Sequence, residues 1–247
     1  MPGTSRPTPT PALEDPMTVV LAVVCSDGVV IGADSQITES DRGLSFPARK
    51  LHPLGSCAAW GGSGARGVLN DLRPLLEDSA TAILEAPDIG DELQERVLPV
   101  FKKHYENYIP DVPGEDGGGG VSAYLLAAGY SQGAPWIVEI NPNGLIGRYE
   151  DVGFHAIGSG APMAQQAGAL LSHFRMTTRT VEYGVVGVLR VLEALDRTSP
   201  SVGGPFNVAC IREEGADHLD EKEIAKALKG VQRWCDLEQE ALDRLFD

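Results

Sequence analysis

Aromatic residues are scarce, at 6% of 247 positions, and cysteine and methionine number four each. Cys25, Cys57, Cys210 and Cys235 are scattered, three of them inside apolar runs. That pattern gives no disulfide framework and reads as free thiols in a reducing compartment, so a cytoplasmic location is expected. Positive charge is also in short supply, with 20 basic against 35 acidic residues and a net charge of −15. A surface of that sign repels phosphates, which argues against nucleic acid and anionic membranes as partners. No apolar run approaches the ~20 residues of a membrane span, and the basic, apolar, small-residue order of a secretion signal is missing. The five histidines have no ligand spacing, so neither a metal nor another cofactor is expected.

What is present is enough apolar material, 43% of the chain, to bury one substantial core. Residues 1–16 hold five prolines and little that is apolar, which predicts a disordered tail. A single folded domain is expected over 18–247. "TVVLAVVCS" and "VVIGAD" read as a hairpin turned at Asp27-Gly28, covered on both faces because both strands are nearly all apolar. "KLHPL" and "SCAAWGG" form another strand pair. Two helices follow, over 63–86 with a bend at Pro74 and over 88–108, with acids early and bases late in the second as the helix dipole prefers. After the glycine run "GGGG", three more strands precede helices over 161–174 and 180–196. A strand at "FNVACI" and a helix over 220–246 complete the chain. Runs of strands and runs of helices in blocks predict stacked layers, an α+β fold with two sheets face to face and helices outside both, a four-layer αββα sandwich.

Several polar residues stand out against this pattern. A hairpin sets the start of one strand beside the end of its partner, which brings Thr18 next to Asp34. Taken singly, each candidate has an ordinary explanation. Thr18 opens a strand, Asp34 caps a turn, and Lys50 is a solvated edge lysine. Gly61, Gly62 and Gly64 make a turn, and Ser159 caps the helix that starts near Pro162. Cys25 sits in an apolar run without a histidine nearby and belongs to the core. The joint spacing carries more information, because Asp34 follows Thr18 by sixteen residues and Lys50 by thirty-two.

That constellation resembles the N-terminal-threonine peptidases, the proteasome β subunits and the bacterial subunit HslV, within the N-terminal-nucleophile hydrolases. "TVVLAVVCSDGVVIGAD" looks like the opening hairpin of that family, and Lys50 stands where the family has its active-site lysine. "AAWGGSGA" resembles its glycine turn, "AIGSGAPMAQQAGALL" a stretch of HslV, and "GGPFNVACI" a late proteasomal strand. Together these segments span Thr18 to Ile211.

The resemblance implies a threonine endopeptidase acting on polypeptides, assembled as a homo-oligomeric ring and served by an ATPase regulator. A terminal threonine carries its hydroxyl nucleophile and an amine base of pKa ~7.7–8.0 on adjacent carbons. The resemblance gives Lys50 the role of lowering the hydroxyl pKa and Asp34 that of holding Lys50. It assigns Gly61 N–H to the oxyanion, Thr38 to the substrate backbone, Ser159 to the terminal amine and Ala59 to the floor of a roomy side-chain pocket suited to large apolar residues. The helices over 63–108 would pack in the ring. Two departures stand beside this. Ser199 and Val202 occupy the places of a supporting aspartate and serine, with Asp196 a substitute only if the loop holds an insertion. Met17, not glycine, precedes Thr18. Methionine before threonine suits methionine aminopeptidase, so Met17 is read as the working start, the alternative being a propeptide cleaved after Met17. An inactive β-like scaffold subunit and an amidohydrolase of small amides are the competing readings, Lys50 speaking against the second.

Overall fold

A computed structural model describes residues 18–39, 44–109, 121–199 and 202–246. The first hairpin joins β1 (Val20–Cys25) to β2 (Gly28–Ala33), with Val20 opposite Ala33 and Cys25 opposite Gly28. Its turn is Ser26-Asp27, one residue earlier than the Asp27-Gly28 expected. Gly28 is needed for a different reason: a Cβ there would meet Ile211 O at 2.1 Å, on the strand packed beside it. Asp27 has a second task, accepting the N–H of Val181 at 2.9 Å.

A short ribbon follows, β3 (Gln36–Glu39) with β4 (Leu44–Pro47), then β5 (Leu51–Pro53) and β6 (Ala58–Gly64). Helices α1 (Arg66–Glu85) and α2 (Ile89–Glu106) come next, and the residues at 68, 72, 76, 80 and 83 give α1 its buried stripe. Pro74 and Pro99 lie inside helices that continue through them. The middle strands are β7 (Ala123–Ser131), β8 (Ala134–Ile140), β9 (Ile146–Arg148) and β10 (Phe154–Ile157). The chain ends with α3 (Ala161–Ser172), a 3-10 turn at Met176–Thr178, α4 (Val181–Thr198), β11 (Asn207–Arg212), β12 (Gly215–His218) and α5 (Glu221–Asp243). Asp220 closes a capping box with Glu223 at the start of α5.

Two five-stranded antiparallel sheets result, ordered β10-β1-β2-β11-β12 and β5-β6-β7-β8-β9. Period two divides their side chains between separate cores. From the first strand, Leu21, Val23 and Cys25 join α3, α4 and part of α5 in one apolar cluster. The intervening Val20, Ala22 and Val24 meet Leu126, Ala128 and Ile137 of the other sheet in a second. Leu125 and Ala127 face α1 and α2 in a third. Both faces of β1 and β7 are therefore buried, as their unbroken apolar sequences require. Four free cysteines are present, Cys25 and Cys210 buried, and burial pushes both thiols up to about 12. Neither is a nucleophile at neutral pH. Among the described residues no helix is long and apolar enough to cross a membrane, and no group of metal-ligating side chains occurs.

Candidate functional site

Two contacts hold the backbone of Thr18 at the head of β1. Its N–H donates to Ser159 Oγ at 3.1 Å, and its carbonyl accepts from Gly160 N–H at 3.2 Å. The segment 158–160 comes this close because Gly158 has φ +95 and no side chain; a Cβ there would lie 2.1 Å from Thr18 O. The next residue, Val19, donates its N–H to Asp34 Oδ1 at 3.0 Å and accepts from Asp34 N–H at 3.2 Å. The hairpin thus fixes the Asp34 carboxylate against the backbone that follows Thr18.

Lys50 completes the cluster from the residue before β5. Its Nζ donates to Thr18 Oγ1 at 3.1 Å and to Asp34 Oδ1 and Oδ2 at 2.8 and 2.9 Å. Asp34 is 0% exposed and Lys50 8%, so the solvated edge lysine is not what the chain folds into. Burial pulls Lys50 below the ordinary lysine range, a shift opposed by the carboxylate beside it. Burial likewise pushes Asp34 up, against the pull of Lys50 and of the N–H groups of Val19 and Gln36. A cation 3.1 Å from a hydroxyl favours its alkoxide form, and a proton acceptor on the adjacent carbon would make that hydroxyl a nucleophile. In the sequence as it stands the nitrogen of Thr18 is a peptide nitrogen joined to Met17.

The glycine segment departs from expectation. Gly61, Gly62 and Gly64 do not form a turn; all three lie in β6, opposite β7. In an antiparallel strand successive residues direct their N–H and C=O to alternate neighbours. Cys57 O accepts from Tyr130, and Ala65 N–H donates to Ser122 O, which turns the odd-numbered residues toward β7. Ala58 O accepts from Leu54 N–H, which turns the even-numbered ones toward the β5 side. Gly61 N–H therefore points at Leu126 and Gly62 N–H at the backbone of Lys50, so both are spent in the sheet, whereas Gly64 faces the Lys50 side beyond the last β5 pairing, Leu51 with Gly61. Ala59 is corrected as well. It is 0% exposed and packs between the sheets with Leu126 and Ala128, where no substrate group reaches. Thr38 lies on β3 opposite Ser45, and its side chain is outside the described set.

Beside Lys50 a cleft of about 660 Å³ opens between β5, β6 and α1. Gly62, not Ala59, is the β6 residue before Ser63 that lines it, together with His52, Trp60 and the face of α1 carrying Arg66, Arg73 and Glu77. Sequence reasoning passed over this face, although 66, 69, 70, 73, 77 and 80 repeat with helical spacing and all line the cleft. Of the departures, Ser199 is 4% exposed and Val202, 2% exposed, is part of the cluster under α3 and α4. Asp196 ends up near the glycine pair, its Oδ1 3.5 Å from where a Cβ on Gly203 would sit.

Several known proteins resemble the chain over most of its length. The chain is 27% identical over 215 residues to "Proteasome subunit beta 1" of Thermococcus onnurineus (strain NA1), which covers 86% of this chain and 97% of that protein. It is 28% identical over 212 residues to the like-named protein of Thermococcus kodakarensis, with 86% and 97% covered. "Proteasome subunit beta" of Methanosarcina mazei matches at 23% over 207 residues, 84% of this chain and 92% of that one. Among solved structures, a mutant of Anbu from Hyphomicrobium sp. strain MC1 superposes with a TM-score of 0.70 at 16% identity, covering 93% of this chain and 100% of that one. The last likeness is one of fold. No family model matches the chain. The similarity thus reaches proteasome β subunits over most of the sequence and does not single out HslV.

Proposed function

We propose that the chain is a threonine peptidase of the proteasome β type, with Thr18 as nucleophile once Met17 and the residues before it are gone. One observation carries the reading: Lys50 Nζ is 3.1 Å from Thr18 Oγ1 while held by both oxygens of Asp34. The similarity to proteasome β subunits supports it, and three apolar clusters support a four-layer αββα sandwich as its frame.

In this mechanism the freed α-amine takes the Thr18 Oγ proton as Oγ attacks the scissile carbonyl carbon. The carbonyl π pair moves onto oxygen, where the N–H of Gly64, beyond the last β5 pairing, rather than that of Gly61, is the donor on the correct side. Collapse breaks the C–N bond, and the leaving amine takes the proton from the α-ammonium. An ester on Thr18 remains. Water then attacks it, giving a proton to the α-amine, which returns it to Oγ as the carboxylic acid product departs. Ser159 positions the amine through the contact its Oγ already makes with Thr18 N, and Thr38 lies on the strand that would pair with substrate backbone.

The proposal extends to polypeptide substrates, a homo-oligomeric ring and a regulatory ATPase partner; the similarity to proteasome subunits supports a multi-subunit ring. Turnover of short peptide amides by the isolated protein, lost in Thr18→Ala, tests the reading. A second reading has its own support: Val202 and the buried Ser199 stand where the family resemblance places two supporting polar residues, which suits an inactive scaffold subunit. Peptide amides left intact by a chain that begins at Thr18 would favour it.

A further inference from the structure

The cleft beside Lys50 is unusual for this chain in its charge. Across the whole sequence acids exceed bases by 15. Along the cleft the balance is reversed: Arg49, Arg66 and Arg73 line it, and Glu77 is the one acid among the described lining residues. Lys50 adds a fourth cation, balanced by Asp34. Arg66 and Arg73 project from the exposed face of α1 that overlooks the opening, and the Arg66 guanidinium lies 5.6 Å from the centre of the Phe46 ring. Arg49 is held from the other side, its Nε donating to Leu51 O at 2.8 Å.

The floor is polar too. His52 is half-buried against Trp60, ring centres 5.0 Å apart. Burial, then the charges of Arg73, Arg49 and His218, lowers its pKa to about 4. It therefore enters the cleft neutral, burial being the larger cause and the nearby positive charges the smaller one. Gly62 leaves the strand side of the opening without a side chain. A substrate carbonyl placed on Thr18 Oγ1 would have its preceding side chain directed here, because Lys50 borders both.

We infer that this cleft receives a carboxylate-bearing side chain, so that the bond broken follows glutamate or aspartate. This rests on Thr18 as the nucleophile and replaces the large apolar residue that Ala59 suggested. The arginines are exposed and act through solvent, which weakens them, so the expected selectivity is about tenfold, not absolute.

The test uses the isolated protein and N-acetyl peptides, identical but for Glu, Gln, Leu or Lys before a fluorogenic amide, so that no terminal carboxylate competes. The kcat/KM for Glu should exceed that for Gln and Leu by about tenfold, and Arg73→Glu should cut the Glu/Gln ratio at least fivefold. A Leu or Lys preference, or a ratio untouched by Arg73→Glu, overturns the inference while leaving Thr18 as nucleophile. Binding of the same peptides to Thr18→Ala, followed by fluorescence anisotropy, separates the two claims. Tenfold tighter binding of Glu than Gln without turnover by the unmutated protein upholds the cleft and removes the nucleophile. Failure of every peptide to bind or react overturns both.

Discussion

Lys50 Nζ stands 3.1 Å from Thr18 Oγ1, thirty-two residues away in sequence and beside it in space. Two short connections bring this about. β1 turns back into β2 so that Asp34 returns to Val19, and Lys50 ends the segment leading into β5 with its ammonium on that carboxylate. A hydroxyl, a buried cation and a carboxylate fixed by backbone N–H groups make a site whose parts fail together, and the substitutions below are expected to show it.

Lys50→Ala should abolish peptidase turnover, and because Lys50 is buried it should also destabilise the fold. Removing one partner of a buried ion pair costs about 3–5 kcal/mol, reduced here to the extent that Asp34 takes up a proton. Lys50→Arg should also be inactive, since a planar fork does not replace a compact ammonium between Asp34 and Thr18. Rates and melting temperatures measured together check this; full activity in Lys50→Arg contradicts it.

Asp34→Asn keeps the shape of the side chain and one acceptor oxygen but removes the charge facing Lys50. Activity should fall by at least tenfold, and the lysine should lose its proton at a lower pH still, because the group raising its pKa is gone. In the unmutated protein the alkaline limb of the pH–rate profile should already lie below the ordinary lysine value of 10.5, since burial lowers Lys50 and turnover requires its charge. An alkaline limb at or above 10.5 would assign the titration to another group.

Ser159→Ala removes the acceptor of Thr18 N–H, a contact worth roughly 1 kcal/mol. The expected result is a five- to tenfold lower kcat with KM little changed. An equal fall in melting temperature for active and Thr18→Ala backgrounds, without any change in kcat, would leave Ser159 a purely structural contact; it does not cap α3, whose N-cap is Gly160.

How much of this was legible beforehand differs by element. The helices α1 and α4 could be read because their apolar residues repeat at helical spacing over many turns, and β7 because its apolar run is unbroken between turn signals. The β3–β4 ribbon, β10 and β12 could not: each strand is only four residues long, too short for a period to show. Thr18 and Asp34 were visible because a hairpin converts sequence spacing directly into proximity, and Lys50 because it stands where the resembled family has its active-site lysine. Gly61 and Ala59 were misplaced because strand parity, not composition, decides which way a backbone N–H or side chain points, and parity is set by pairing with β7. The arginine rim was missed because its members are spread over α1 and the residue before Lys50.

His52 gives a prediction about stability. Its folded pKa is about 4 against an ordinary 6.5, so the folded state resists a proton that the unfolded chain accepts. Its contribution is complete above pH 6.5, declines as pH falls and is lost through about 4. Denaturant midpoints between pH 7 and 4 should fall less steeply for His52→Gln than for the unmutated chain; identical slopes would place the pH dependence elsewhere.

The most direct test of the account is the intact mass of the native protein, read on the same preparation whose peptidase rate is known. The account predicts an active species whose chain begins at Thr18, with turnover absent in Thr18→Ala of the same length. A preparation that cleaves peptides while its chain still begins upstream of Thr18 would contradict it, because no free α-amine would then stand beside the hydroxyl that Lys50 touches.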